Sequence, residues 1–121
     1  MSTKSITKIF EFEAAHHLPN YNGACRNLHG HSYRLEITVA GEIDDETGMI
    51  MDFSILKNIV NNNIISQWDH QNLNDFFILP TAENMGECIV EVLSGLFPHL
   101  NVNLKKVRLW ETSNSHYDWE A

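Results

Sequence analysis

The stretch HSYRLEITVA, from His31 to Ala40, places Tyr33, Leu35, Ile37 and Val39 on one side of an extended chain and mostly polar residues on the other. A period of two with branched and aromatic side chains on one face is the pattern of a half-buried strand. Such a strand needs neighbours for its backbone groups and a layer to cover its apolar face, so it constrains the rest of the chain. Upstream, Ile6 to Ala14 largely alternates from Ile9 to Phe12 and reads as a second strand with one buried face. Between the two, Leu18 to Asn27 carries Pro19, Asn20, Asn22 and Gly23 and reads as a loop, and Gly41 to Gly48 reads as a solvated turn.

The covering layer is helical. Asp52 can cap a helix beginning near Phe53, and Leu56, Val60, Ile64 and Trp68 then recur every four residues, with Ile59 widening the stripe. Asn61-Asn62-Asn63 weakens its second half. Thr81 can cap a second helix whose stripe is Met85, Ile89, Val92, Leu93 and Leu96, ending before Pro98. Cys88 lies beside that stripe and reads as core. Val102 to Trp110 returns to strand, Ser113-Asn114 turns, and a short strand runs to Trp119. The expectation is an α+β fold of order ββααββ, with a four-stranded antiparallel sheet and two helices on one face.

With 121 residues, 43% of them hydrophobic, the sequence suits a single domain over residues 1–121 with a real core. Two cysteines declare no disulfide framework. The first residues lack the apolar core of a signal peptide, and no apolar run is long enough to span a bilayer. A soluble, cytoplasmic protein without membrane partners is expected. Sixteen acidic residues against eight Lys plus Arg give a net charge of −8, which argues against nucleic acid as a partner.

Seven histidines are many for this length, and three lie close together. In His29-Gly30-His31 the two imidazoles, two residues apart on an extended chain, point to the same face about 7 Å apart, close enough to converge on one ion. A third can come from the adjacent pair His16 and His17, of which only one faces that side. Three histidines with an open fourth position describe a catalytic zinc site; surface or satisfied core histidines are the plainer alternative. Cys25, four residues before His29 in a polar loop, is a candidate base or nucleophile or else a small filler. Asp69-His70, after the first helix, is a candidate proton relay or a helix-end pair. Glu111 can accept two hydrogen bonds from a guanidine-like ring edge or can simply end its strand in solvent. His99 and His116 read as surface residues.

Together these segments carry a resemblance. Phe12-Glu13-Ala14-Ala15-His16, Cys25 to Tyr33, Gly48 to Phe53, Asp69 to Asn74, Pro80 to Asn84 and Trp110-Glu111-Thr112 stand in the order of the 6-pyruvoyl-tetrahydropterin synthase family, over nearly the whole chain. Within it the chain is most similar to the bacterial branch that forms 6-carboxy-tetrahydropterin for queuosine synthesis. The resemblance implies a tunnelling fold, in which subunits join their sheets into a barrel, usually as a homohexamer of two trimers with sites at subunit boundaries. It implies zinc on His16, His29 and His31, with Cys25, Asp69 and His70 as catalytic groups. Glu111 would anchor the pterin ring, and Thr81 would lie in a segment lining that pocket.

The implied substrate is a small-molecule pterin triphosphate, 7,8-dihydroneopterin triphosphate. The carboxy-forming branch releases triphosphate and acetaldehyde; the sister activity keeps all carbons in 6-pyruvoyl-tetrahydropterin. Arg26 follows Cys25 directly, whereas many carboxy-forming members place Arg two residues after the cysteine. Lys8, Arg26, Lys105 and Lys106 are the candidate cations for the triphosphate. A pterin-binding protein without catalysis would need Glu111 but not Cys25, Asp69 and His70. A purely structural zinc domain would need a fourth ligand.

Overall fold

A computed structural model describes residues 3–121. Strands β1 (Ser5–His16) and β2 (His29–Gly41) pair antiparallel along their whole lengths, from Ser5 opposite Ala40 to His16 opposite His29. The alternation read in the sequence is the pleat. Phe10, Phe12, Ala14 and His16 of β1 and Tyr33, Leu35, Ile37 and Val39 of β2 are buried on one face.

That face is covered by helices. Helix α1 (Phe53–Val60) continues through a π-helical stretch at Asn61–Ile65 into α2 (Ser66–Trp68), and the expected stripe Leu56, Val60, Ile64 and Trp68 is buried. Asp52 caps α1 by accepting from the Ser54 amide at 2.7 Å. The weak helix formers Asn61-Asn62-Asn63 coincide with the π-helical stretch, where the hydrogen bonding widens but the helix does not break. Helix α3 (Ala82–Ser94) buries Met85, Ile89 and Leu93. Two expectations for it need correction: Val92 is exposed and Cys88 only half-buried, because the face of α3 that packs is narrower than the apolar stripe. Gly86 lets α3 approach the sheet, since a Cβ there would collide with the Tyr117 ring.

The expectation of four antiparallel strands is also corrected. The sheet has five strands in the order β3-β1-β2-β4-β5, with β3 (Gln71–Asn72), β4 (Val102–Thr112) and β5 (Ser115–Glu120). β3 runs parallel to β1, with Ala14 opposite Gln71 and Ala15 opposite Asn72, so the sheet is mixed. The backbone at the end of β1 needs partners on its outer edge, and the chain leaving α2 supplies them. A two-residue strand is too short to show a period, which is why the sequence pattern passes over it. Among the described residues no helix is long and apolar enough to cross a membrane.

Candidate metal centre and active site

The histidines are placed by strand register. His16 ends β1 and His29 begins β2 directly opposite, while His31 lies opposite Ala14. All three fall on the helix-covered face, and their ring centroids form a triangle with sides of 4.7, 4.8 and 5.0 Å. One nitrogen from each lies within 4.8 Å of the others. His17 is not among the gathered residues, and its backbone is held by the Asn74 side chain at 2.9 and 3.0 Å. Of the adjacent pair, His16 is the one that joins.

Hydrogen bonding orients the rings of the cluster. His16 Nδ1 lies 2.7 Å from the Pro80 carbonyl and His29 Nδ1 lies 2.7 Å from the Asn27 carbonyl. A carbonyl only accepts, so both Nδ1 atoms carry a proton, and the tautomer this selects has its lone pair on Nε2. These two Nε2 atoms stand 3.1 Å apart. His31 Nε2 is buried without a hydrogen-bond partner, 3.7 Å from Glu111 Oε1. Burial lowers the His31 pKa, against the pull of Glu111, and His16 and His29 push the same way. Three imidazoles gathered around one point are the donor set of a borderline divalent metal, with backbone carbonyls fixing two of the tautomers. The residues present fit a bound ion.

The floor of the site is apolar. Tyr33 stacks on Phe12 with ring centroids 5.0 Å apart and meets the His31 ring edge-on at 5.6 Å. Burial, then the charge of Glu111, pushes the Tyr33 phenol far above its usual range, so it stays protonated.

Asp69 and His70 follow α2. Asp69 Oδ1 accepts from the Glu13 amide at 2.9 Å and lies 3.0 Å from His70 Nδ1. The Glu13 N–H, followed against burial by His70, holds the Asp69 carboxyl below its usual range. His70 sits in the left-handed region at φ 60°, with its amide donating to the Glu13 carbonyl at 2.6 Å. This arrangement leaves the imidazole exposed at a hollow of about 470 Å³, shared with Gly30, His31 and Ser32. His70 of the dyad and His31 of the metal-candidate cluster therefore border one hollow of a single chain.

Glu111 owes its position to a β-bulge. Trp110 pairs with His116 and Thr112 with Ser115, so Glu111 is the extra residue of β4. It borders two hollows, one of about 510 Å³ with His31, Arg34 and Trp110 and one of about 380 Å³ with Glu83 and His116.

Thr81 caps α3, its Oγ1 accepting from the Asn84 amide at 3.1 Å. Its neighbours Ala82 and Glu83 line the smaller hollow beside Glu111. Cys25 sits half-buried in a single 3₁₀ turn, Ala24–Arg26, and its carbonyl accepts from the Leu18 amide at 2.7 Å. Among the described residues its sulfur is not one of the atoms gathered with the three histidines. The sequence pattern misses the Pro80 and Asn27 carbonyls and the Glu13 backbone, which act through main-chain atoms and leave no side-chain signal. The one legible hint is the Pro80-Thr81 cap: Asn84 Nδ2 also holds the Leu79 carbonyl at 2.9 Å, tying the turn that presents the Pro80 carbonyl to His16.

Comparison with known proteins agrees with this geometry. The family model for 6-pyruvoyl tetrahydropterin synthase matches residues 5–121. A 6-carboxy-5,6,7,8-tetrahydropterin synthase of Synechocystis is 48% identical over 84 residues, 64% of this chain and 65% of the relative, so the alignment spans just under two thirds of that protein. A protein of the same name from Haemophilus influenzae is 30% identical over 95% of this chain and 97% of its own. The structure of Caenorhabditis elegans 6-pyruvoyl tetrahydropterin synthase superposes with a TM-score of 0.86 at 27% identity, over 100% of this chain and 97% of the other. With its sheet, helices and histidine cluster in place, the chain belongs to the 6-pyruvoyl tetrahydropterin synthase family.

Proposed function

We propose that the chain converts 7,8-dihydroneopterin triphosphate and water to 6-carboxy-5,6,7,8-tetrahydropterin, acetaldehyde and triphosphate, in the synthesis of 7-deazaguanines such as queuosine. The observation that carries this reading is the gathering of three imidazoles, one of which, His31, borders a hollow together with His70 of the His–Asp dyad, with a carboxylate re-aimed by a bulge beside it. The names of the Synechocystis and Haemophilus relatives favour the carboxy-forming reaction.

In this reading His16, His29 and His31 hold Zn²⁺, which when bound supplies a Lewis acid that acidifies side-chain hydroxyls and their neighbouring C–H bonds. Glu111 accepts hydrogen bonds from the N–H edge of the pterin ring and fixes its orientation. Thr81 belongs to the segment that walls the ring pocket. Cys25, as thiolate, takes a proton on one side of the substrate side chain. His70 moves a proton on the other, its Nδ1 proton held by Asp69 so that Nε2 is free to exchange. Triphosphate leaves by elimination, and cleavage of the side chain with addition of water releases acetaldehyde. The working unit is a cytoplasmic homohexamer, a dimer of trimers of one-domain subunits, with sites at subunit boundaries.

Incubation of the metal-loaded protein with 7,8-dihydroneopterin triphosphate, with mass analysis of the pterins and an acetaldehyde assay, tests the reading. Carboxy-pterin with one acetaldehyde per turnover, lost in Cys25→Ala, is the expected result. Pyruvoyl-pterin without acetaldehyde would assign the sister activity, which the C. elegans structural relative carries in its name. Unchanged substrate would leave a pterin-binding protein.

A further inference from the structure

His116 reads as a surface residue in the sequence, yet the fold builds it into an ordered array. Its Nδ1 lies 2.9 Å from Asp118 Oδ1. Asp118 is in turn held by Arg108 through two parallel bonds, Nε to Oδ1 at 2.7 Å and Nη2 to Oδ2 at 2.9 Å. The imidazole meets the Trp110 ring at 4.2 Å, and the Arg108 guanidinium lies over that same ring at 5.7 Å. Three side chains from β4 and β5 thus fix one histidine, whose Nε2 makes no hydrogen bond among the described residues. Its side chain is 29% exposed and borders the hollow of about 380 Å³ that Glu111 also borders.

The array dictates the tautomer. Arg108 holds the Asp118 carboxyl below its usual range, so an ionised acceptor faces Nδ1. Nδ1 therefore carries a proton, and in the tautomer this selects Nε2 is the acceptor. The hollow is then bordered by two residues that carry acceptors of different kinds, Glu111 and His116.

We propose that His116 is a specificity-determining residue that accepts a hydrogen bond from the exocyclic amino group of a 2-amino-4-oxo heterocycle anchored on Glu111. The proposal deepens the pterin reading of the site and rests on it. A carboxylate that binds such a ring edge in bidentate fashion takes the ring N–H and one amino hydrogen. The second amino hydrogen needs a further acceptor, and an amino group left half-satisfied in a closed pocket loses affinity. His116 supplies that acceptor, with Asp118 and Arg108 as positioning residues acting through it.

The test compares binding of two rings to the full-length, metal-loaded protein: pterin, which carries the 2-amino group, and lumazine, which has oxygen there. The wild type is expected to prefer pterin. His116→Leu should shrink that preference about 3- to 10-fold, the range for one neutral hydrogen bond, while lumazine binds as before. His116→Gln, whose amide oxygen can accept, should restore it. Asp118→Asn, which no longer dictates the proton on Nδ1, should shrink it with the imidazole still present, a result that a merely structural role would not give. An unchanged preference in both His116→Leu and Asp118→Asn would overturn the role of His116 and leave the pterin site standing. Failure of the wild type to bind either ring would overturn the pterin site and this proposal together.

Discussion

The two halves of the β1–β2 pair share one pleat, one register and one buried face, yet they are built for opposite purposes. At one end Phe10, Leu35, Ile37 and Val39 are sealed beneath the helices, and their requirement is met by contact alone. At the other end the same face carries His16, His29 and His31, and the buried His31 Nε2 lacks a partner. Apolar burial is non-directional and stabilises wherever water is removed. Burial of a bare nitrogen is directional and costs stability until a donor or a cation arrives. The sheet is thus finished as a structure at one end and left open to a ligand at the other.

Substitutions at the two ends should separate these roles. His29→Ala removes one ligand and is expected to lower bound metal from near one per chain to below about a tenth, with activity falling more than about a hundredfold. Metal analysis after gel filtration and a turnover assay would show it. Chelation of the wild type should reproduce the loss of activity and also lower the melting temperature. A ligand present at a thousand times its dissociation constant contributes about 4 kcal/mol to the folded state. Leu35→Ala is the converse. It removes a fully buried side chain between two neighbouring strands and should cost about 3 kcal/mol, with the folded fraction still binding metal. Equal metal loss in both variants would break the distinction between the two ends.

A smaller effect is expected at Asp69, which touches none of the three histidines. Asp69→Asn keeps the shape of the side chain but weakens the acceptor shared by the Glu13 amide and His70 Nδ1. Metal content should be unchanged while kcat falls about a hundredfold, as for loss of a general acid–base partner. A fall in metal content instead would place the dyad in the metal-binding half of the site.

How much of this was legible in the sequence follows from the same division. The strands β1 and β2, both helix caps and the His-Gly-His pair announce themselves because each rests on a period or a local side-chain signal. The choice of His16 over His17 depends on register, and register is a property of two strands together, so spacing alone leaves the pair open and only the resemblance points to His16. β3 and the Pro80 and Asn27 carbonyls are main-chain features with no period to betray them. His116 reads as a surface residue and is exposed, but its array is not legible in the sequence, because Arg108 and Trp110 meet it only across the β4–β5 turn. The recognised order of motifs supplied candidate roles for Cys25 and Glu111, but the bulge that aims Glu111 appears only in the pairing of two strands.

The helix caps offer the finest comparison, one charged and one neutral. The Ser54 amide and hydroxyl hold the Asp52 carboxyl below its usual range, so its folded value lies under the unfolded value of about 3.9. A carboxyl depressed in the fold contributes stability that is present above its unfolded value and lost as pH falls through its folded value. Asp52→Ala should therefore lower the melting temperature at pH 7 and cost progressively less as the pH drops below about 4. The Thr81 hydroxyl does not titrate in that range, so Thr81→Ala should cost about 1 kcal/mol at every pH. Its cap also belongs to the turn that offers the Pro80 carbonyl to His16, where Asp52 stands before α1, a different helix. Thr81→Ala should then weaken metal binding by a few fold, and Asp52→Ala should not, which titration with a competing chelator would resolve. Thr81→Ser, which keeps the capping oxygen, should bind as the wild type does. If Thr81→Ala instead raises KM with metal affinity intact, the residue serves the substrate pocket directly and its cap is incidental to the metal.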